Sequence, residues 1–83
     1  MVDHAEIVTI VWPSVGGRSG VIQIPWVKDR MLKHYLLHPQ LRQHGVGALT
    51  KKCRIYNSDK IRVKTIYKPT AGDTVVFVIA PRR

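Results

Sequence analysis

At 83 residues the chain is one domain, long enough to build a single core layer and too short for a second. Its 45% hydrophobic content is that of an ordinary soluble globule, and no apolar run approaches the roughly 18 residues that a membrane helix needs. Fourteen Lys and Arg against five Asp and Glu make it strongly basic, and a single cysteine, Cys53, excludes an internal disulfide or a metal site built on several thiolates.

The chain opens MVDHAEIV, with acids where an export signal would carry positive charge and no small-residue cleavage site after them, which predicts no export. Glu6 to Trp12 (EIVTIVW) is rich in β-branched residues and predicts a strand. Pro13-Ser14 and Val15-Gly16-Gly17-Arg18-Ser19-Gly20 form a breaker-rich turn. Val21 to Trp26 (VIQIPW) then resumes the apolar alternation, so the first 26 residues predict a β-hairpin. Pro25 has no N–H to give a ladder, which places this second strand at a sheet edge or marks its end.

After the hairpin the period changes. Met31, Leu32, Tyr35 and Leu36 recur at three- and four-residue spacing, the pattern of one buried helical stripe, with Lys28, Arg30 and Lys33 between them. Asp29 stands where an N-cap or first-turn acid is favourable. Pro39 stops or kinks the helix near His38, Leu41 prolongs it as a short turn, and Gly45 or Gly47 ends the segment. Lys51 to Tyr56 (KKCRIY) alternates cationic and apolar residues, Asn57 to Lys60 turns, and Ile61 to Ile66 alternates again. Pro69 to Asp73 then leads into Thr74 to Ala80 (TVVFVIA). Nearly every side chain of this last strand is apolar, although successive side chains point to opposite faces.

The order is β-β-α-β-β-β, an α+β fold. A long N-terminal hairpin, one helix, a weaker middle pair and a last apolar strand introduced by Gly72-Asp73-Thr74-Val75 resemble the β-grasp superfamily. That group includes ubiquitin, sulfur carriers and the TGS domains of RNA-associated enzymes. The resemblance spans the whole chain as a pattern, and only the short G-D-x-V stretch carries it at residue level. It implies a mixed sheet of four to five strands in ββαββ order, with the first and last strands parallel at its centre and one helix packed on one face. Carriers of the family end in Gly-Gly, whereas this chain ends Ala80-Pro81-Arg82-Arg83, so their chemistry is carried over to no residue.

Thr9 and Gln23 are the polar members of their strands, and the helix must cover the opposite face. That assigns Val8, Ile10, Ile22, Ile24, Cys53, Ile55, Val75, Phe77 and Ile79 to the core under Met31, Leu32, Tyr35 and Leu36. The outer face then carries Ile7, Thr9 and Val11 from one strand and Val76, Val78 and Ala80 from its neighbour. Arg54, Tyr56, Arg62 and Lys64 lie beside them on the weaker strands. An apolar centre with a cationic, tyrosine-bearing rim is the anatomy of a protein contact surface more than of a catalytic cleft. Two alternatives stay open: the faces are reversed with Thr9 interior, or the N-terminal arm folds over the stripe.

The charge is concentrated late in the chain. Residues 1–50 carry five Lys and Arg against three acids, and residues 51–83 carry nine against two. That field favours an anionic partner, whether nucleic acid, an acidic protein surface or an anionic headgroup; the plainer alternative is charge that serves solubility. His34 and His38 are four apart, with His44 beyond Pro39, but no carboxylate stands between them as in HExxH, and no metal is expected. Cys53 lies between Lys52 and Arg54, yet its place in the pattern is interior, where a small apolar filler is the expected role. Paired carboxylates for acid–base work are absent from the sequence pattern, and the glycine-rich 16–20 segment joins strands rather than opening a phosphate-binding helix.

No catalysis and no cofactor are therefore expected. Two functional classes remain. The first is a structural or interaction protein that docks through the outer face and the Arg82-Arg83 tail onto an acidic protein surface in a larger assembly, as a decoration or joint of a virus particle would. The second is a nucleic-acid module similar to TGS domains, with Lys51, Lys52, Arg54, Arg62 and Lys64 on phosphates and Tyr56, Tyr67 or Trp26 stacking on bases. Inhibition of a host enzyme would use the same surface. The apolar stripe favours the first class, because nucleic-acid surfaces are polar and strongly charged. The expected location is the cytoplasm or a virus particle, with no membrane association.

Overall fold

A computed structural model describes residues 6–14 and 19–80 of the chain. Five strands form one mixed sheet: β1 (Ile7–Trp12), β2 (Gly20–Pro25), β3 (Cys53–Tyr56), β4 (Arg62–Val63) and β5 (Thr74–Ile79), in the order β2-β1-β5-β3-β4. The two segments that are apolar on both faces take the centre. There β1 and β5 run parallel, with Thr9 level with Thr74, Ile10 with Val75 and Val11 with Val76. β2 pairs antiparallel with β1 along its whole length and forms one edge, with Pro25 as its last residue, so the missing N–H costs no ladder bond.

The turn into β5 explains the Gly72-Asp73 pair. Gly72 adopts φ +81°, a backbone that side chains with a Cβ rarely take, and its N–H donates to Ile7 O at 2.8 Å while Thr9 N donates to Asp73 O at 3.0 Å. The turn thereby starts the parallel ladder.

Every buried strand residue lies on one face of the sheet: Val8, Ile10, Trp12, Ile24, Cys53, Ile55, Val75 and Phe77. This is the face expected from the pattern, with four departures. Trp12 was not assigned to the core and is buried in it, and Met31 was assigned to it and is half-buried. Ile22, on edge strand β2, is half-buried against the core. Ile79 was expected inside and is 52% exposed. The parallel register brings Trp12, the last residue of β1, level with Phe77, so β5 runs on past its neighbour and Ile79 keeps a strand on one side only, opposite Cys53.

The expected single helix is instead three short pieces: α1 (Leu32–Tyr35), α2 (Pro39–Gln43) and a 3-10 turn (Val46–Lys51). Pro39 starts α2 at its first position, and the His38 ring caps it by accepting from Gln40 N at 3.2 Å. Asp29 caps nothing: it occupies a left-handed turn position with φ +62°, and the α1 cap is Met31. Leu32, Tyr35, Leu36, Leu41, Val46 and Leu49 from these pieces join the inner face in one core cluster. The Tyr35 hydroxyl accepts from Val27 N at 2.8 Å and donates to Val27 O at 3.1 Å, tying hairpin to helix.

Trp12 bears on the hairpin sequence. It lies opposite Gly20 and packs against the His44 ring, with centroids 5.5 Å apart. A Cβ on Gly20 would sit 2.4 Å from Trp12 Cζ2. Gly20→Ala is therefore expected to destabilise the domain by about 1–3 kcal/mol in denaturant unfolding, since the indole cannot move without disturbing the core.

Asp73 is the one buried charged residue among those described, at 2% exposure. Its carboxylate accepts from the Tyr67 hydroxyl, from Ser58 N at 3.1 Å and from Thr70 N at 3.3 Å. Burial pushes this carboxyl up, but the hydrogen bonds from Tyr67, Ser58 and Thr70 together outweigh it and hold it below the usual carboxylate range. Burial, and then the Asp73 bond, push the Tyr67 hydroxyl up. A lowered folded-state carboxyl contributes stability that is full above its unfolded value, near 3.9, and is lost as pH falls through the lower folded value. Asp73→Ala is expected to cost about 2–4 kcal/mol at neutral pH, and Asp73→Asn to flatten the acid limb of a stability-against-pH curve. An unchanged acid limb would show that the carboxylate does not hold these loops.

Candidate functional site

The outer face of the sheet is assembled by register alone. Val21 pairs with Val11, Val11 with Val76, Val76 with Tyr56 and Tyr56 with Arg62, and paired residues share a face. One row thus crosses all five strands, three valines leading to a tyrosine and an arginine. Ile7 flanks it on β1. Thr9 sits between Gln23 and Thr74, and Val78 faces Arg54 across the β3–β5 pair.

Exposure follows position in the sheet. Ile7, Thr9, Val11, Val76 and Tyr56 are half-buried, Val78 is 45% exposed and edge residue Val21 is 63% exposed. No strand residue of this face is buried, whereas the inner face supplies all eight buried ones. The short helical pieces pack on the inner face, so among the described residues no element roofs the outer one.

The rim is cationic. Arg54 and Arg62 are exposed on β3 and β4, and Lys64, expected on a strand, is exposed one residue past the end of β4. None of the three side chains has a hydrogen-bond, ion-pair or ring partner among the described residues. The structure therefore brings together nine of the expected residues: Ile7, Thr9, Val11, Val76, Val78, Arg54, Tyr56, Arg62 and Lys64. Arg82 and Arg83 lie outside the described residues. Val21 and Thr74 belong to the same face and were not singled out, although the alternation that placed Ile22 and Val75 inside already pointed both outward.

The other candidate chemistry is dispersed. His34 is exposed, His38 caps α2 and His44 packs on Trp12. Among the described residues no three His, Cys, Asp or Glu side chains gather as metal ligands. Cys53 is a buried free thiol whose ionisation burial pushes up, with Lys52 pulling weakly the other way. The Tyr67 hydroxyl donates to Asp73 and accepts from the Asn57 side-chain amide at 3.5 Å, and the Trp26 indole N–H donates to Pro69 O at 2.9 Å. The indole and the Tyr67 hydroxyl are thus engaged within the fold. Among the described residues no helix is long and apolar enough to cross a membrane.

No protein-family model, no curated protein and no solved structure matches the chain.

Proposed function

We propose that this chain is a non-enzymatic structural or interaction protein of β-grasp-like architecture, which docks through its outer sheet face onto an acidic protein surface in a larger assembly such as a virus particle. The observation that carries the reading is the five-strand row Val21–Val11–Val76–Tyr56–Arg62, apolar at its centre, cationic at its end and unroofed by any described element. The strand order and the parallel pairing of β1 with β5 support the β-grasp likeness.

Charge selects the kind of partner. Nothing among the described acids pairs with Arg54, Arg62 or Lys64, and the whole chain is +9, so a partner that places carboxylates around an aliphatic patch complements both parts of the face. The RNA-binding alternative loses support from the aromatic residues. Tyr67 and Trp26 are tied into loop contacts, which leaves Tyr56 as the aromatic of the face, and a stacking platform needs more than one.

Two substitutions on one strand separate docking from folding. Val78→Asp, on the exposed row, is expected to leave the thermal transition within a few degrees of wild type and to abolish co-elution with the partner recovered from the native source. Val75→Asp, fully buried on the opposite face, is expected to prevent folding. The complex reconstituted from purified partner should survive salt near 0.5 M, because aliphatic burial is not screened, whereas nucleic-acid binding should fall by about one log unit per log unit of salt for each phosphate contact. Retention by oligonucleotides that salt releases, with no protein partner recovered, would replace this reading with the nucleic-acid one.

A further inference from the structure

β4 is only two residues long for a reason that lies outside the sheet. Past Val63 the chain turns away from β3, and the carbonyls of Thr65 and Tyr67 accept from Lys33 N at 2.9 Å and Leu32 N at 2.7 Å. These are the first backbone donors of α1, which otherwise lack a partner. Capping the helix this way takes residues 64–67 off the sheet. Level with Cys53 and Arg54 no described strand then lies on the β4 side of β3, and a cleft of about 540 Å³ opens there.

The lining of this cleft is specific in its chemistry. Arg54, Arg62 and Lys64 line it, and Ile55 and Val63 form an apolar part of the wall. Arg54 on β3 and Lys64, the first residue past β4, thus line the same cleft. Like charges gathered in one cleft repel one another, and no described carboxylate neutralises them. Two threonines also line it. The Thr50 hydroxyl donates to Gly47 O at 2.9 Å, while that of Thr65 has no partner among the described residues and is free to donate. The cleft thus gathers three cations and one free hydroxyl, with no acid in its lining.

We propose that the cleft between β3 and the segment leaving β4 is an oxyanion site that takes the phosphate group of a small phosphorylated ligand, with Arg54, Arg62 and Lys64 on the phosphate oxygens and Thr65 as a hydroxyl donor. Arginine forks bind carboxylate and phosphate alike at two oxygens, but a phosphate group carries more oxygens to share among two guanidinium groups and an ammonium than one carboxylate does. The volume is that of a small-ligand site, and the Ile55–Val63 wall offers apolar surface to the rest of such a ligand. The cleft shares Arg54, Arg62 and Lys64 with the rim of the docking face but none of its aliphatic row, so the proposal does not rest on docking.

The test is an NMR titration of the full chain with inorganic phosphate at fixed ionic strength, chloride serving as the matched control, then with a nucleoside monophosphate. The amides of Arg54, Lys64 and Thr65 are expected to shift along a saturable curve with a midpoint below about 10 mM. The paired change Arg54→Gln and Lys64→Gln should weaken that midpoint at least about tenfold, while Lys68→Gln, outside the cleft, leaves it unchanged. Val21→Asp, on the same outer face but at the opposite edge of the sheet, should also leave it unchanged, which separates failure here from failure of the docking reading. Linear shifts spread over Lys28, Lys33 and Lys68 would overturn the site, as would saturable binding of a single-stranded oligonucleotide or a polyglutamate peptide without binding of phosphate. The wild-type titration decides the matter even if the paired variant does not fold.

Discussion

A sheet has two faces, and 83 residues build one roof. The rest of the structure follows from that constraint. β1 and β5 carry apolar side chains on both faces and therefore occupy the centre of the sheet, where neighbours on either side reduce exposure even without a roof. Among the described residues three short helical pieces supply the cover, and their buried residues all join the same face. The other face is left half-buried at the centre and exposed towards the edges. Aliphatic rows of this kind are tolerated in a free chain when charge surrounds them, and the Arg54, Arg62 and Lys64 rim supplies such charge.

Loops carry as much of the organisation as the helices do. The segment between β4 and β5 does three things at once: it caps α1 through Thr65 and Tyr67, receives the Trp26 indole at Pro69, and closes on Asp73. Each of these removes a polar group from a place where it would otherwise lack a partner, and no buried side-chain nitrogen or oxygen among the described residues is left without one. The consequence is geometric. Chain used to cap a helix cannot extend a strand, so the sheet stops short beside β3 and leaves a basic gap at its edge.

Alternation made most of the fold legible. Period-two patterns located four of the five strands to within two residues or so and placed Val8, Ile10, Ile24, Cys53, Ile55, Val75 and Phe77 inside, because a strand's burial is written in every second side chain. The same pattern listed Ile7, Thr9, Val11, Val76 and Val78 as one outer surface. Three things escaped it for physical reasons. Ile61 to Ile66 alternates like a strand, yet α1 draws Thr65 and Tyr67 away, and the competing hydrogen bonds come from Leu32 and Lys33, far earlier in the chain. Met31 to Leu36 has the helical period, but Pro39 cuts the run before propagation can help it, so the stripe is shared among short pieces. Ile79 has the inward phase of its strand and lacks only a neighbour, and relative strand ends are a property of the pairing register that no single segment encodes.

A face left for a partner must meet solvent in the free chain. The most direct measurement is relaxation of methyl signals by an inert, soluble paramagnetic agent on the isolated protein. The expected result is strong broadening at Val21 and Val78, intermediate broadening at Ile7, Val11 and Val76, and none at Val8, Ile10 or Val75. Protection of the outer valines equal to that of Val75 would contradict the account, since it would mean that the chain shelters both faces of its sheet by itself.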